Sequence, residues 1–323
     1  MRYSVKIFSR IGELIQGILP DGSHFLVSGL PSRRFFSEAI LEDVAACEGA
    51  SAMEEASATP ILQLPPKANR ALQLFLDTYQ PDPGHEQYPG SAQHRGHQPD
   101  PTRALHPKNL RLYSNIPPGK GLSSSSADIL SVLNAVNDYL GAGCSDPQLY
   151  AIAARVEPTD PCLSEDIVVF HQRRGIACRR ISLPPVSMIW FDAAPDRQID
   201  TVDLQRNYDG QAPAFFAALL DRFEAAAGQE DYTALFDCMT HSALYNQSVI
   251  PLPRFEEYYQ LATRTGAGLM VAHSGTIIGL LSRPEECAAL LPVIEAMTNK
   301  DQPTTLYIEQ YSSTESNALC QER

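Results

Sequence analysis

Pro117-Pro118-Gly119-Lys120-Gly121-Leu122-Ser123-Ser124-Ser125-Ser126-Ala127-Asp128 is the stretch on which the reading of this chain turns. Before it, Leu110, Leu112, Ser114 and Ile116 alternate as a strand with one apolar face, which the two prolines end. After it, Ile129, Val132, Leu133, Val136, Tyr139 and Leu140 recur at helical spacing, predicting a helix over Ala127–Leu140 that Gly141 stops. A plain Ser/Gly linker is the bland alternative. A linker, however, has no reason to be clamped between a strand and an amphipathic helix. Small residues let the backbone approach an anion, and the start of a helix aims several unpaired N–H groups at one point. The stretch therefore reads as an anion cradle. It is not a Walker A loop, because Lys120 is followed by Gly121 rather than Ser or Thr. Lys120 can reach a phosphate or stand as an exposed loop lysine.

Upstream, Tyr3–Ser9 reads as a strand, with Gly12 and Gly17 bracketing a short Glu-Leu-Ile-Gln turn or helix. Two further strands are predicted over His24–Gly29 and Phe35–Glu42. An amphipathic helix over Lys67–Tyr79 presents Ala71, Leu72, Leu74, Phe75 and Leu76. Residues 80–107 are dense in Pro, Gly, Gln and His and read as a long mobile surface loop. That segment holds His85, His94, His97 and His106, whose spacing matches no standard metal-ligand pattern. Downstream, Val186–Ala193 predicts a strand, and helices are expected over Phe215–Ala227, Tyr232–Asn246 and Arg254–Thr263. The apolar run from Gly268 reads as two strands split by a small-residue turn. The restart of the pattern predicts two units, 1–180 and 181–323, each α+β.

Composition narrows the function. The formal charge of −13 over 323 residues repels nucleic-acid backbones, and no basic run offsets it. No stretch has the apolar length of a membrane span. Lys6 and Arg10 interrupt the N-terminal pattern, so a cytoplasmic protein is expected. The seven cysteines contain no C-x-x-C pair and suggest neither disulfides nor structural zinc. A homodimer is one assembly the sequence allows.

Three segments together resemble the GHMP kinases. The stretch Pro117–Ala127 is similar to their second motif, Gly12-Glu13-Leu14-Ile15-Gln16-Gly17 to their first, and Gly266–Gly268 with His273-Ser274-Gly275-Thr276 to their third. Within the superfamily, these segments and Glu157-Pro158-Thr159-Asp160 most resemble the L-threonine kinases of cobalamin side-chain synthesis. The resemblance implies the two-lobed GHMP fold: an N-terminal ribosomal-S5-like lobe, a C-terminal ferredoxin-like lobe, and an active site in the cleft between.

It also implies an ATP- and Mg²⁺-dependent kinase acting on the hydroxyl of L-threonine or a similar amino-acid-like metabolite. Pro118, Gly119, Lys120, Gly121, Leu122, Ser123, Ser124, Ser125 and Ser126 would hold ATP. Ser125 and Glu157 would ligate Mg²⁺, and Asp160 would orient or deprotonate the acceptor hydroxyl, with Asp166 a rival for either carboxylate task. Arg10, Glu13, Thr159, Ser274 and Gly275 would contact substrate. Arg10 departs from the small residue the resemblance leads one to expect, and it could pair with an acceptor carboxylate. His273 is expected to pack or bond to backbone rather than carry protons. Serine, homoserine or another hydroxyl intermediate is an alternative acceptor, and a non-catalytic binding protein of the same fold is a second alternative.

Overall fold

Residues Arg2–Ile18 form one long strand, β1, and His24–Glu42 form its antiparallel partner, β2. Each runs through a place where the sequence predicts a break. The turn or helix expected between Gly12 and Gly17 is strand instead. Gly12 adopts φ +55°, and the register shifts between Glu13 and Ile15, so a bulge absorbs the bend without ending the ladder. The two strands expected within His24–Glu42 are likewise one. Pairing passes from Phe8↔Phe36 to Ser9↔Ser32, leaving extra β2 residues to bow out just after Pro31.

The structure is a computed structural model that describes residues 2–42, 64–79, 110–199, 208–300 and 304–312. The histidine-bearing segment expected as a loop lies outside the described residues. After β2 come α1 (Pro66–Thr78), β3 (Leu110–Ser114), α2 (Ser124–Leu140), α3 (Asp146–Ala154), β4 (Val168–His171) and β5 (Ile176–Arg180). The remainder comprises β6 (Val186–Asp192), α4 (Ala212–Gly228), α5 (Tyr232–Asn246), α6 (Phe255–Thr265), β7 (Gly268–Val271), β8 (Ile277–Ser282), α7 (Cys287–Thr298) and β9 (Tyr307–Tyr311). The described strands form one mostly antiparallel sheet in the order β5-β4-β2-β1-β7-β8-β6-β9, with β3 paired to β2. Glu13 opposite Val271 is the pairing that joins β1 to β7. Strands from both sides of residue 180 therefore share a sheet, and the first and third motifs meet at that seam.

Helix α2 lies across β1 and β2, and α1 and α3 pack on it. This explains its sequence: Ile129, Leu130, Val132, Leu133, Ala135 and Val136 are all fully buried, more than a one-sided amphipathic helix would hide. Gly141, at φ +62°, caps its end by giving its N–H to the carbonyl of Asn137 or Asp138. Its start differs from expectation. Ser123 takes a left-handed conformation, φ +56°, so the helix begins at Ser124 and draws the last serines into its first turn. Helices α4 and α5 pack against β1, while α6 and α7 enclose a second apolar cluster with β6, β7 and β8. Among the described residues, no helix is long and apolar enough to cross a membrane.

Candidate active site

The serine-rich loop is shaped by its left-handed residues. Gly119 (φ +69°), Gly121 (φ +84°) and Ser123 (φ +56°) alternate with Lys120 and Leu122, a backbone pattern that turns successive N–H groups toward one side. Ser123 makes no side-chain cap bond to α2, so the first-turn donors are not satisfied by their own cap.

The loop is gripped from both neighbouring motifs. Gly12 donates its N–H to the Gly121 carbonyl at 3.1 Å, and Thr276 donates to the Lys120 carbonyl at 3.1 Å. Two glycines permit this approach: a Cβ on Gly121 would strike Ala272, and one on Gly275 would strike the main chain of Lys120 and Gly121. The first motif in turn holds the third, because the Glu13 carboxylate accepts the His273 N–H.

A cleft of about 650 Å³ opens over the loop. It brings together Glu13, Pro118, Gly119, Gly121, Leu122, Ser123, Ser124, Ser125, Ser126, Glu157, Asp160 and Ser274. Lys67, Asp128 and Gln172, which sequence reasoning did not single out as site residues, line it as well. The Lys67 ammonium lies 2.7 Å from one oxygen of Glu157, which is only 5 % exposed. The other oxygen, Oε1, is buried and has no hydrogen-bond partner.

Asp160 accepts from Gln172 Nε2 at 3.3 Å and from Ser126 Oγ at 3.4 Å, and its own N–H donates to Ser126 Oγ at 3.0 Å. Burial pushes its carboxyl above the usual range, and the neighbouring Glu157 charge adds to this, while bonds from Ser123, Gln172 and Ser126 oppose it. Burial raises Asp128 in the same way.

Four expected site residues lie elsewhere. Arg10 does not line the cleft. Its guanidinium is buried and donates to the carbonyls of Gly29 at 3.0 Å, Asp166 at 2.8 Å, Glu165 at 3.4 Å and Ser164. A planar fork with five donors suits such a cage of carbonyls, so the arginine is committed to main chain and not to an acceptor carboxylate. Lys120 is also turned away, neither exposed nor on the cleft. Its ammonium bonds the carbonyls of Ala194 (3.1 Å), Pro195 (2.6 Å) and Arg197 (2.7 Å) and pairs with Asp192 at 2.8 Å. Asp192 also accepts from Thr276 Oγ1 at 2.5 Å, so one carboxylate at the end of β6 ties the second motif to the third. Thr159 is fully buried and gives its N–H to the Gln172 carbonyl at 3.1 Å. Gly275 acts through its missing side chain, as above. Asp166 pairs with Arg180 at 3.0 Å and is not among the cleft residues.

The arrangement suits a metal-bound polyphosphate. An anion above the loop would meet helix N-terminal donors, and Ser125 with the unpartnered Glu157 oxygen offers the hard oxygen ligands magnesium takes. Among the described residues, no group of three or more His, Cys, Asp or Glu side chains is arranged to hold a metal.

Residues 92–166 match the family described as the GHMP kinases N terminal domain. The chain is 29% identical over 181 residues to the L-threonine kinase of Citrobacter freundii, a match covering 53% of this chain and 61% of that protein. It is 31% identical over 189 residues to the homoserine kinase of Desulfitobacterium hafniense, covering 54% and 62%. The matched stretch thus spans less than two thirds of either relative. In fold it is similar to the phosphomevalonate kinase of Streptococcus pneumoniae (TM-score 0.63, 12% identity, covering 96% of this chain and 100% of that one). It is similar also to the homoserine kinase of Cytophaga hutchinsonii (TM-score 0.57, 16% identity, covering 97% and 95%). The chain thus carries, around its serine-rich loop, a GHMP kinase N-terminal domain, and its fold is similar to those of solved homoserine and phosphomevalonate kinases.

Proposed function

We propose that this protein is an ATP- and Mg²⁺-dependent kinase that transfers the γ-phosphoryl group to the side-chain hydroxyl of L-threonine or a similar amino-acid-like metabolite. The observation that carries the reading is the placement of Glu157 and Asp160 beside the donor-rich start of α2 in a single cleft. In the proposed complex the main chain of Gly119–Ser126 cradles the phosphates, and Ser125 and Glu157 hold the metal. Magnesium, when bound, neutralises phosphate charge that the acidic cleft would otherwise repel. Asp160 accepts the proton of the acceptor hydroxyl, whose oxygen bonds to the γ-phosphorus as the bond to ADP breaks. A carboxylate with a raised pKa is a better base than an exposed one. Glu13 and Ser274 face the same space and are proposed as acceptor contacts. The units 1–180 and 181–323 are proposed as a nucleotide lobe and a second lobe whose third motif braces the loop.

The likeness to L-threonine kinases supports threonine as acceptor, and the likeness to a homoserine kinase favours homoserine as the second reading. Arg10 no longer argues for a different acceptor, since its donors are engaged. The test is ADP release with L-threonine, L-serine, L-homoserine and related hydroxy acids, with the phosphorylated product identified by mass. Selective turnover of L-threonine is expected. Turnover of L-homoserine alone would move the assignment to the second reading, and silence across the panel with ATP still bound would favour a non-catalytic protein.

A further inference from the structure

The charged side chains on the cleft are unbalanced. Glu13, Asp128, Glu157 and Asp160 line it, and among the described residues Lys67 is the one cationic side chain that does. Lys67 stands in the first turn of α1, just after Pro66, which presets that turn. It is about one third exposed, whereas the carboxylate it meets is almost wholly buried. Removing a carboxylate from water is costly unless a cation accompanies it. Lys67 supplies that cation, and it does so at the residue assigned to the metal.

We propose that Lys67 makes this site select metal already bound to polyphosphate over metal alone. This inference rests on the nucleotide reading above. With no nucleotide present, the ammonium occupies Glu157 and repels a bare divalent ion approaching the free Oε1. When metal arrives with phosphate, its charge satisfies Glu157, and the ammonium turns to the added negative charge. A lysine is suited to this exchange, being a point charge on a flexible stem rather than a fixed fork. The same residue therefore weakens one equilibrium and strengthens the other.

The test is the sign of two affinities in Lys67→Met. Binding of Mn²⁺ alone is followed by the loss of its free-ion EPR signal, and binding of MgATP by calorimetry. Lys300→Met serves as the control for net charge, because Lys300 pairs with Glu257 and is not a cleft residue. Relative to that control, Lys67→Met is expected to bind Mn²⁺ about three- to tenfold more tightly and MgATP about five- to tenfold more weakly. Either affinity remaining at the control level, or a loss of both, overturns the proposal. Lys67→Gln, which can still hydrogen-bond Glu157, gives the same two readouts if the methionine variant folds poorly. If the wild-type protein fails to bind MgATP, the nucleotide reading falls; if it binds and the variant matches the control, only the role of Lys67 falls.

Discussion

The main-chain N–H of Thr276 donates to the carbonyl of Lys120 at 3.1 Å, so a turn in the last third of the chain holds the loop that precedes α2. Gly275 makes that bond possible, since any Cβ there would overlap the Lys120 carbonyl. Gly275→Ala is therefore expected to lower stability by about 1–3 kcal/mol through overpacking and to weaken ATP binding as the loop is displaced. Urea unfolding and calorimetric titration with MgATP check both. Wild-type values in each would show that the turn and the loop can part without consequence.

Lys120 makes a related connection. Its buried ammonium serves three carbonyls and Asp192, and Lys120→Met would remove this donor from all four, leaving Asp192 its bonds from Thr276 and Ala194 but no cation. A loss of about 3 kcal/mol is expected, as for other broken buried pairs. The measurement is the denaturant midpoint. A midpoint unchanged from wild type would contradict the clamp.

Arg10→Lys separates structure from specificity. An ammonium cannot reach the four carbonyls that the guanidinium serves, so stability should fall by about 1–3 kcal/mol. The ranking of acceptors in the turnover panel should stay the same. A changed ranking at unchanged stability would return Arg10 to the acceptor.

These connections mark the limit of what the sequence discloses. Helix α5 appears where Tyr232–Asn246 predicts it, because Leu235, Phe236, Cys238, Met239 and Ala243 recur at helical spacing and are buried together. The turn between β7 and β8 was equally legible in its small residues. The path of β1 was not. From Ser9 to Gly17 residues of both parities are buried, so no alternation marks the strand, and glycine at two positions imitates a turn. The pairing of Lys67 with Glu157 spans elements far apart in sequence, and so does that of Lys120 with Asp192. Nothing local signals either one, although the lysine after Pro65-Pro66 and the aspartate ending the β6 strand stand at element termini, where such residues often work. The serine loop was recognisable because its chemistry is contiguous.

Asp160→Asn tests the buried carboxyl. Its raised pKa means the folded protein keeps a proton that the unfolded chain has released, between the ordinary carboxylate value of about 3.9 and the higher folded value. Stability therefore falls as pH rises through that window, and the deficit persists at neutral pH. The asparagine variant should melt higher at pH 7, by about 2–4 °C per kcal/mol regained. Its turnover should drop by about 10²-fold or more, as expected when a general base is lost. In the wild type, the acid limb of the rate profile should lie above the ordinary carboxylate range. Turnover unaffected by the substitution would remove the base role while leaving nucleotide binding in place.

The central claim is that a metal-bound nucleotide gives up its γ-phosphoryl group in this cleft. The most direct measurement follows ADP and phosphorylated L-threonine together, with and without Mg²⁺, in the wild type and in Ser125→Ala. Equal amounts of both products, formed only with Mg²⁺ and reduced by about ten- to a hundredfold at limiting Mg²⁺ in the variant, are predicted. ADP formation at the same rate in Ser125→Ala, or product formation independent of Mg²⁺, would contradict the account.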